Sequence, residues 1–123
     1  MFQPSLEEFK KKAKQGNLIP VYREILADME TPVSAFQKID DGRHSFLLES
    51  MEGGEKWARY SFLGSRPSVV VRSFGRTVEV IRDGRTQKPS FERDPLDVIK
   101  KVLSAYAPVP DPSLPRFYGG AVG

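Results

Sequence analysis

Cysteine is absent from this 123-residue chain, and histidine occurs once, at His44. Without thiols, neither a disulfide framework nor a thiolate metal site can form, and a single imidazole argues against zinc. The same shortage removes the usual pairings of nucleophile and base. No apolar stretch approaches the roughly 20 residues that span a bilayer, and no hydrophobic signal core follows the N-terminus. Charge of one sign is lacking too, since 19 Lys and Arg stand against 16 Asp and Glu. Cations reward phosphate contact only where they gather on one face, and here they are dispersed, apart from the run Lys10-Lys11-Lys12-Ala13-Lys14. These absences point to a soluble cytoplasmic protein without a membrane or nucleic-acid partner.

What is present is ordinary globular material in an amount suited to one core, with many turns from ten Gly and ten Pro. Ser5-Leu6-Glu7-Glu8 fits a capping box, and Leu6, Phe9 and Ala13 recur at helical spacing. The lysine run closes that helix, where the dipole favours cations, and Gly16 suits its stop. Its charges read as a solvated helix end rather than a binding patch. Ile19 to Leu26 reads as extended. Thr31-Pro32 predicts a cap with proline at the first helical position, followed by about two turns carrying Val33, Phe36 and Ile39.

From Ser45 the period becomes that of strands: Ser45 to Met51, Arg59 to Leu63, Ser68 to Phe74 and Thr77 to Arg82. Gly75-Arg76 and Asp83-Gly84 mark tight turns. Asp94-Pro95 opens a last helix with an apolar stripe of Leu96, Ile99, Val102, Leu103 and Tyr106. The order predicts an α+β domain, an antiparallel sheet covered by helices, over residues 1–107. Residues 108–115 hold four of the ten prolines and read as a stiff connector. Residues 116–123 read as the start of a strand, and apolar, glycine-rich sequence at that point predicts a natural polypeptide that continues. Gly119-Gly120-Ala121-Val122-Gly123 lacks the spacing of a phosphate loop and reads as close backbone packing.

Chemistry concentrates in Phe46-Leu47-Leu48-Glu49-Ser50. Alternation places Phe46, Leu48 and Ser50 on one face and Leu47 and Glu49 on the other, so neither face is cleanly polar. In a central strand, Glu49 or Ser50 would need a polar partner, supplied either by nearby backbone and water or by a small polar ligand. With Arg59 following the Glu52-Gly53-Gly54-Glu55 loop, a zwitterion would fit, its carboxylate on Arg59 and its ammonium on Glu49.

Several blocks together resemble the N-terminal region of anthranilate synthase component I. They are Glu30-Thr31-Pro32-Val33-Ser34-Ala35-Phe36, Phe46 to Ser50, Glu52 to Glu55 and Arg59-Tyr60-Ser61-Phe62-Leu63-Gly64. The opening from Pro4 to Leu26 and the closing Phe117 to Gly123 are similar too. The resemblance implies an enzyme that makes anthranilate and pyruvate from chorismate, with ammonia or with glutamine supplied through an amidotransferase subunit, and with Mg²⁺. It places the chorismate and Mg²⁺ residues in a C-terminal catalytic region outside this chain. No catalytic residue or cofactor is then expected here, and the chain alone is expected to be inactive.

The resemblance also implies a site for L-tryptophan as feedback inhibitor. Leu47, Leu48, Glu49 and Ser50 would line it, Ser50 foremost, with Arg59 in the place of a basic side chain and Pro32 near the pocket. The C-terminal region would complete it. The rival within the resemblance is aminodeoxychorismate synthase component I, against which the Glu-Gly-Gly-Glu and Arg-Tyr-Ser-Phe blocks speak. Outside it, the rivals are a stand-alone small-ligand or interaction domain and a basic nucleic-acid module.

Overall fold

A computed structural model describes residues 1–49 and 60–123. In chain order the elements are α1 (Leu6–Lys12), α2 (Pro32–Ile39), β1 (Ser45–Glu49), β2 (Ser61–Ser65), β3 (Val69–Phe74), β4 (Thr77–Arg82), β5 (Arg85–Gln87) and α3 (Leu96–Ser104). The protein is α+β. Its strands form a two-stranded antiparallel sheet, β1-β2, and a three-stranded sheet in the order β3-β4-β5. The chain divides into two compact units, one of residues 1–25, 71–80 and 86–123, the other of residues 26–70 and 81–85.

Local chemistry fixes the helix starts. Ser5 Oγ accepts from the Glu8 backbone N–H at 3.3 Å, and Glu8 Oε2 accepts from the Ser5 N–H at 2.9 Å. Two of the four orphan donors at the helix start are thus satisfied. That bond to the Ser5 N–H is the main reason the Glu8 carboxyl lies below its ordinary range. At α2 the same reciprocal box joins Thr31 to Ser34, at 3.1 and 2.9 Å, with Pro32 in the first turn. Ser34 Oγ also donates to Glu30, and Lys38 reaches back to that carboxylate. The hairpin turns follow the sequence as well. Gly75 adopts φ 57 at the β3–β4 turn, and Asp83 and Gly84 adopt φ 49 and 72 at the β4–β5 turn. Two successive positive φ values are what a two-residue type I′ loop requires.

The core of the first unit is made of valines: Val78, Val80, Val98 and Val109 are each no more than 5% exposed. Two details differ from the sequence expectation. The buried line of α3 centres on Val98, with Ile99, Val102 and Tyr106 half-buried, whereas Leu96 and Leu103 are exposed. On α1 the half-buried positions are Phe9 and Lys12, and Leu6 is exposed. Lys12 is not a solvated helix end. Its Nζ meets Asp111 Oδ2 at 2.7 Å, and both side chains are largely covered.

The partner of Lys12 belongs to the proline-rich stretch, which packs along the first unit. Val109 donates its N–H to Leu18 O at 2.9 Å, Leu18 bridges Pro108 in parallel, and Tyr22 Oη meets Ser113 Oγ at 2.5 Å. Asn17 braces the exit of α3 with both ends of its amide. Its Nδ2 donates to Ala105 O at 2.8 Å, and its Oδ1 accepts from Ala107 N–H at 2.5 Å. Gly16 then serves packing rather than a left-handed helix stop. A Cβ there would lie 2.2 Å from Ala107 O and 2.9 Å from Val109 Cγ2. Residues 116–123 carry no strand.

In the second unit α2 packs on both β1 and β2. The pairing of Ser45 with Ser65 and of Glu49 with Ser61 carries β2 two residues beyond the Leu63 expected from sequence. Phe46 sits opposite Gly64, and its ring occupies the space a Cβ on that glycine would need, with Cε1 at 2.2 Å.

Candidate functional site

Leu47, Leu48 and Glu49 follow one another on β1, opposite Leu63, Phe62 and Ser61 respectively. Leu47 is half-buried, while Leu48 and Glu49 are exposed. The strand belongs to a two-stranded sheet, so Glu49 keeps access to solvent and is not the buried carboxylate of a central strand. Pro32 is the first residue of α2, exposed, on the helix that packs against this strand pair. Ser50, and Arg59, which is expected to meet a zwitterion's carboxylate, lie outside the described residues.

Tyr60 and Phe62 lie close to this strand end. Their rings stack with centroids 6.2 Å apart and planes 19° from parallel. Phe62 is the partner of Leu48 and shares its face, whereas Glu49, opposite Ser61, lies with Leu47 on the other. The face with Leu48 and the two rings offers a planar apolar surface, and Glu49 offers a carboxylate on the other face. Sequence reading had not singled out Tyr60 and Phe62 as site residues, although their two-residue spacing in a strand puts them on one face.

Two clefts are lined by other residues. One, of about 320 Å³, surrounds the Lys12–Asp111 pair and is lined also by Gln3, Glu8, Tyr22 and Ser113. Asp111 accepts from Lys12 and from the Ser113 hydroxyl and backbone, which hold its carboxyl at about 2. Lys12 is correspondingly held above its ordinary value by that hydrogen bond. These charges satisfy one another, so the cleft is a structural clasp. The other cleft, of about 410 Å³, is lined by Asp41, Arg43, His44, Arg66 and Pro67. Neither is lined by Leu47, Leu48, Glu49 or Pro32, the described residues among those singled out for tryptophan. Among the described residues no three His, Asp or Glu side chains converge as a metal site would require. No helix among them is long and apolar enough to cross a membrane.

No family model matches the chain, and no solved structure matches it. Curated proteins do. All 123 residues align at 46% identity with anthranilate synthase component 1 of Acetivibrio thermocellus. The protein of the same name from Synechocystis sp. is 46% identical over 125 aligned residues, and that from Pseudomonas putida 42% over 118, or 95% of this chain. The chain spans about a quarter of the length of these relatives, at 25%, 24% and 24%. By sequence, therefore, the chain belongs with the N-terminal region of the anthranilate synthase component 1 family.

Proposed function

We propose that this chain is the feedback-regulatory region of a cytoplasmic anthranilate synthase, the part that senses L-tryptophan. The observation that carries the reading is the whole-length similarity to the N-terminal region of component 1 proteins, at 46% identity. Leu47, Leu48, Glu49 and Ser50 would form one wall of the site, with Arg59 and Pro32 at its margin. Glu49 and Ser50 would receive the ammonium, and the leucines and neighbouring rings would pack the indole. The region of the relatives beyond the aligned quarter would complete the site and carry out the conversion of chorismate to anthranilate. A glutamine amidotransferase, as component 2, would supply ammonia to it. Mg²⁺ would bind in that other region too. The described residues offer no fitting ligand set, so no step is assigned to the ion here.

Inhibition requires tryptophan to bind the less active arrangement more tightly, because a ligand with equal affinity for two states shifts nothing. The test joins this chain to the remaining three quarters of the Acetivibrio thermocellus protein and measures anthranilate formation with and without tryptophan. Tryptophan should inhibit the joined enzyme and bind it in a calorimetric titration. Ser50→Ala should weaken both effects while leaving turnover without tryptophan intact. Undiminished inhibition in that variant would remove Ser50 from the site, and absence of any tryptophan effect would remove the regulatory reading.

A further inference from the structure

We propose that the cleft at the outer end of the β1–β2 ladder is a binding site for a small oxyanion, a carboxylate or phosphate group held by Arg43, His44 and Arg66. The ladder itself brings these residues together. Ser45 and Ser65 are its terminal pair, so His44 and Arg66 are the next residues outward on the two strands, with Arg43 and Pro67 following. All of them line one cleft of about 410 Å³.

The charge balance of this cleft is unusual. Two guanidinium groups, which stay charged at any physiological pH, and one imidazole face a single carboxylate, Asp41. One Asp41 oxygen is already engaged by the Arg43 backbone N–H at 3.1 Å. Among the described residues the ion pairs are Lys12–Asp111, Lys38–Glu30 and Lys88–Glu79, and none involves Arg43, His44 or Arg66. The cleft thus groups three cationic or basic side chains around one carboxylate. Like charges so placed repel, and an anion between them removes that repulsion.

The backbone points the same way. Arg66 has φ 52, a left-handed conformation that costs a side-chain-bearing residue energy and that glycine would adopt freely. A long cation kept at a strained position is a pattern found at ligand sites. The facing loop is braced beforehand. Asp40 Oδ1 accepts from the Gly42 N–H at 2.9 Å and from Ser45 Oγ at 2.5 Å. An anion would therefore meet a largely ordered set of donors, with the guanidinium fork suited to two oxygens of one carboxylate or phosphate. The site is separate from the surface proposed for tryptophan. Four residue steps separate Ser45 from Glu49, roughly 13 Å of extended strand.

His44 is the single histidine of the chain, so its imidazole resonances report on this cleft alone. The experiment titrates the chain with inorganic phosphate and, separately, with malonate, at constant ionic strength and a fixed pH of about 6. A saturable shift of the His44 resonances is expected. Saturation by phosphate alone, by malonate alone or by both supports the site and identifies the group it takes. Arg66→Gly removes the guanidinium while relieving the left-handed backbone. It should weaken binding by about tenfold or more and leave the unfolding temperature equal or higher. Arg43→Gln should also weaken binding, and Arg116→Gln, which does not line the cleft, should not. A linear shift without saturation, or saturation undiminished in both Arg66→Gly and Arg43→Gln, would overturn the proposal.

Discussion

Replacing Gly16 by alanine should unfasten the first unit. The added Cβ would sit 2.2 Å from the carbonyl oxygen of Ala107. Carbon and oxygen rarely approach closer than about 3.3 Å, so one backbone must retreat by about 1 Å. The carbonyl that would move accepts from Asn17 N at 3.0 Å and from Leu18 N at 3.3 Å, and a retreat of that size breaks both bonds. Each contributes about 0.5–1.5 kcal/mol net. Crowding against Val109 Cγ2 at 2.9 Å adds about 1–3 kcal/mol in a packed interior. Alanine restricts the unfolded chain, which returns about 0.4–1 kcal/mol. The net loss is about 1–5.5 kcal/mol, with about 3 kcal/mol at the centre. With a urea dependence of about 1.5 kcal/mol per molar, the central value moves the unfolding midpoint down by about 2 M. Gly119→Ala is the matched control. A Cβ there meets nothing within 4 Å, so only the unfolded-chain term acts and the midpoint should hold or rise slightly. Urea titrations followed by circular dichroism would measure both variants. If Gly16→Ala came within about 0.5 kcal/mol of Gly119→Ala, the close approach of residues 16 and 107 would not be a determinant of the fold.

Two further perturbations test other contacts. The Asp111 carboxyl is held at about 2 in the folded chain against an ordinary 3.8, so its stabilising contribution is complete above about 3.8 and fades as pH falls through 2. Lys12, raised above its ordinary 10.5, contributes fully below that value and loses its contribution as pH rises beyond it. Asp111→Asn should therefore flatten the dependence of melting temperature on pH between about 4 and 2, and an unchanged slope would remove the clasp from the acid response. At the other unit, Gly64→Ala displaces the Phe46 ring and should cost about 1–3 kcal/mol. In a double-mutant cycle with Phe46→Ala the two changes should couple by more than about 0.5 kcal/mol, whereas simple additivity would mean the ring does not cover Gly64.

The features legible in the sequence are those decided within a few residues. The Ser5–Glu8 box, the Thr31-Pro32 start of α2 and the Asp83-Gly84 turn each depend on groups no more than four positions apart, and each lies where the pattern put it. The phase of α3 was less legible. Leu96 and Leu103 are as apolar as Val98, and only the packing of the first unit selects the valine. Long-range chemistry was not legible at all. Lys12 and Asp111 are 99 positions apart, so the lysine run gave no sign that one member is paired. The role of Gly16 depends likewise on a carbonyl 91 residues downstream. For the candidate tryptophan surface, strand alternation grouped the β1 residues, but the exposure of Glu49 follows from the sheet having two strands, which the pattern did not specify. The Arg43, His44 and Arg66 grouping needs the Ser45–Ser65 register to be visible.

The closure of the first unit by residues so far apart sets an order for synthesis. Most of the second unit, including α2, β1 and β2, has been translated by residue 70. The first unit, however, waits for Ala105, Ala107, Val109 and Asp111 before Asn17, Gly16, Leu18 and Lys12 find their partners. At about 5–20 residues per second, some 5 to 20 seconds separate the emergence of Lys12 from that of Asp111. During that interval α1 is a single short helix of seven residues with Phe2, Leu6 and Phe9 uncovered, too short to hold its shape in water. The nascent chain thus exposes its earliest apolar segment longest, and a holding chaperone would find its target there.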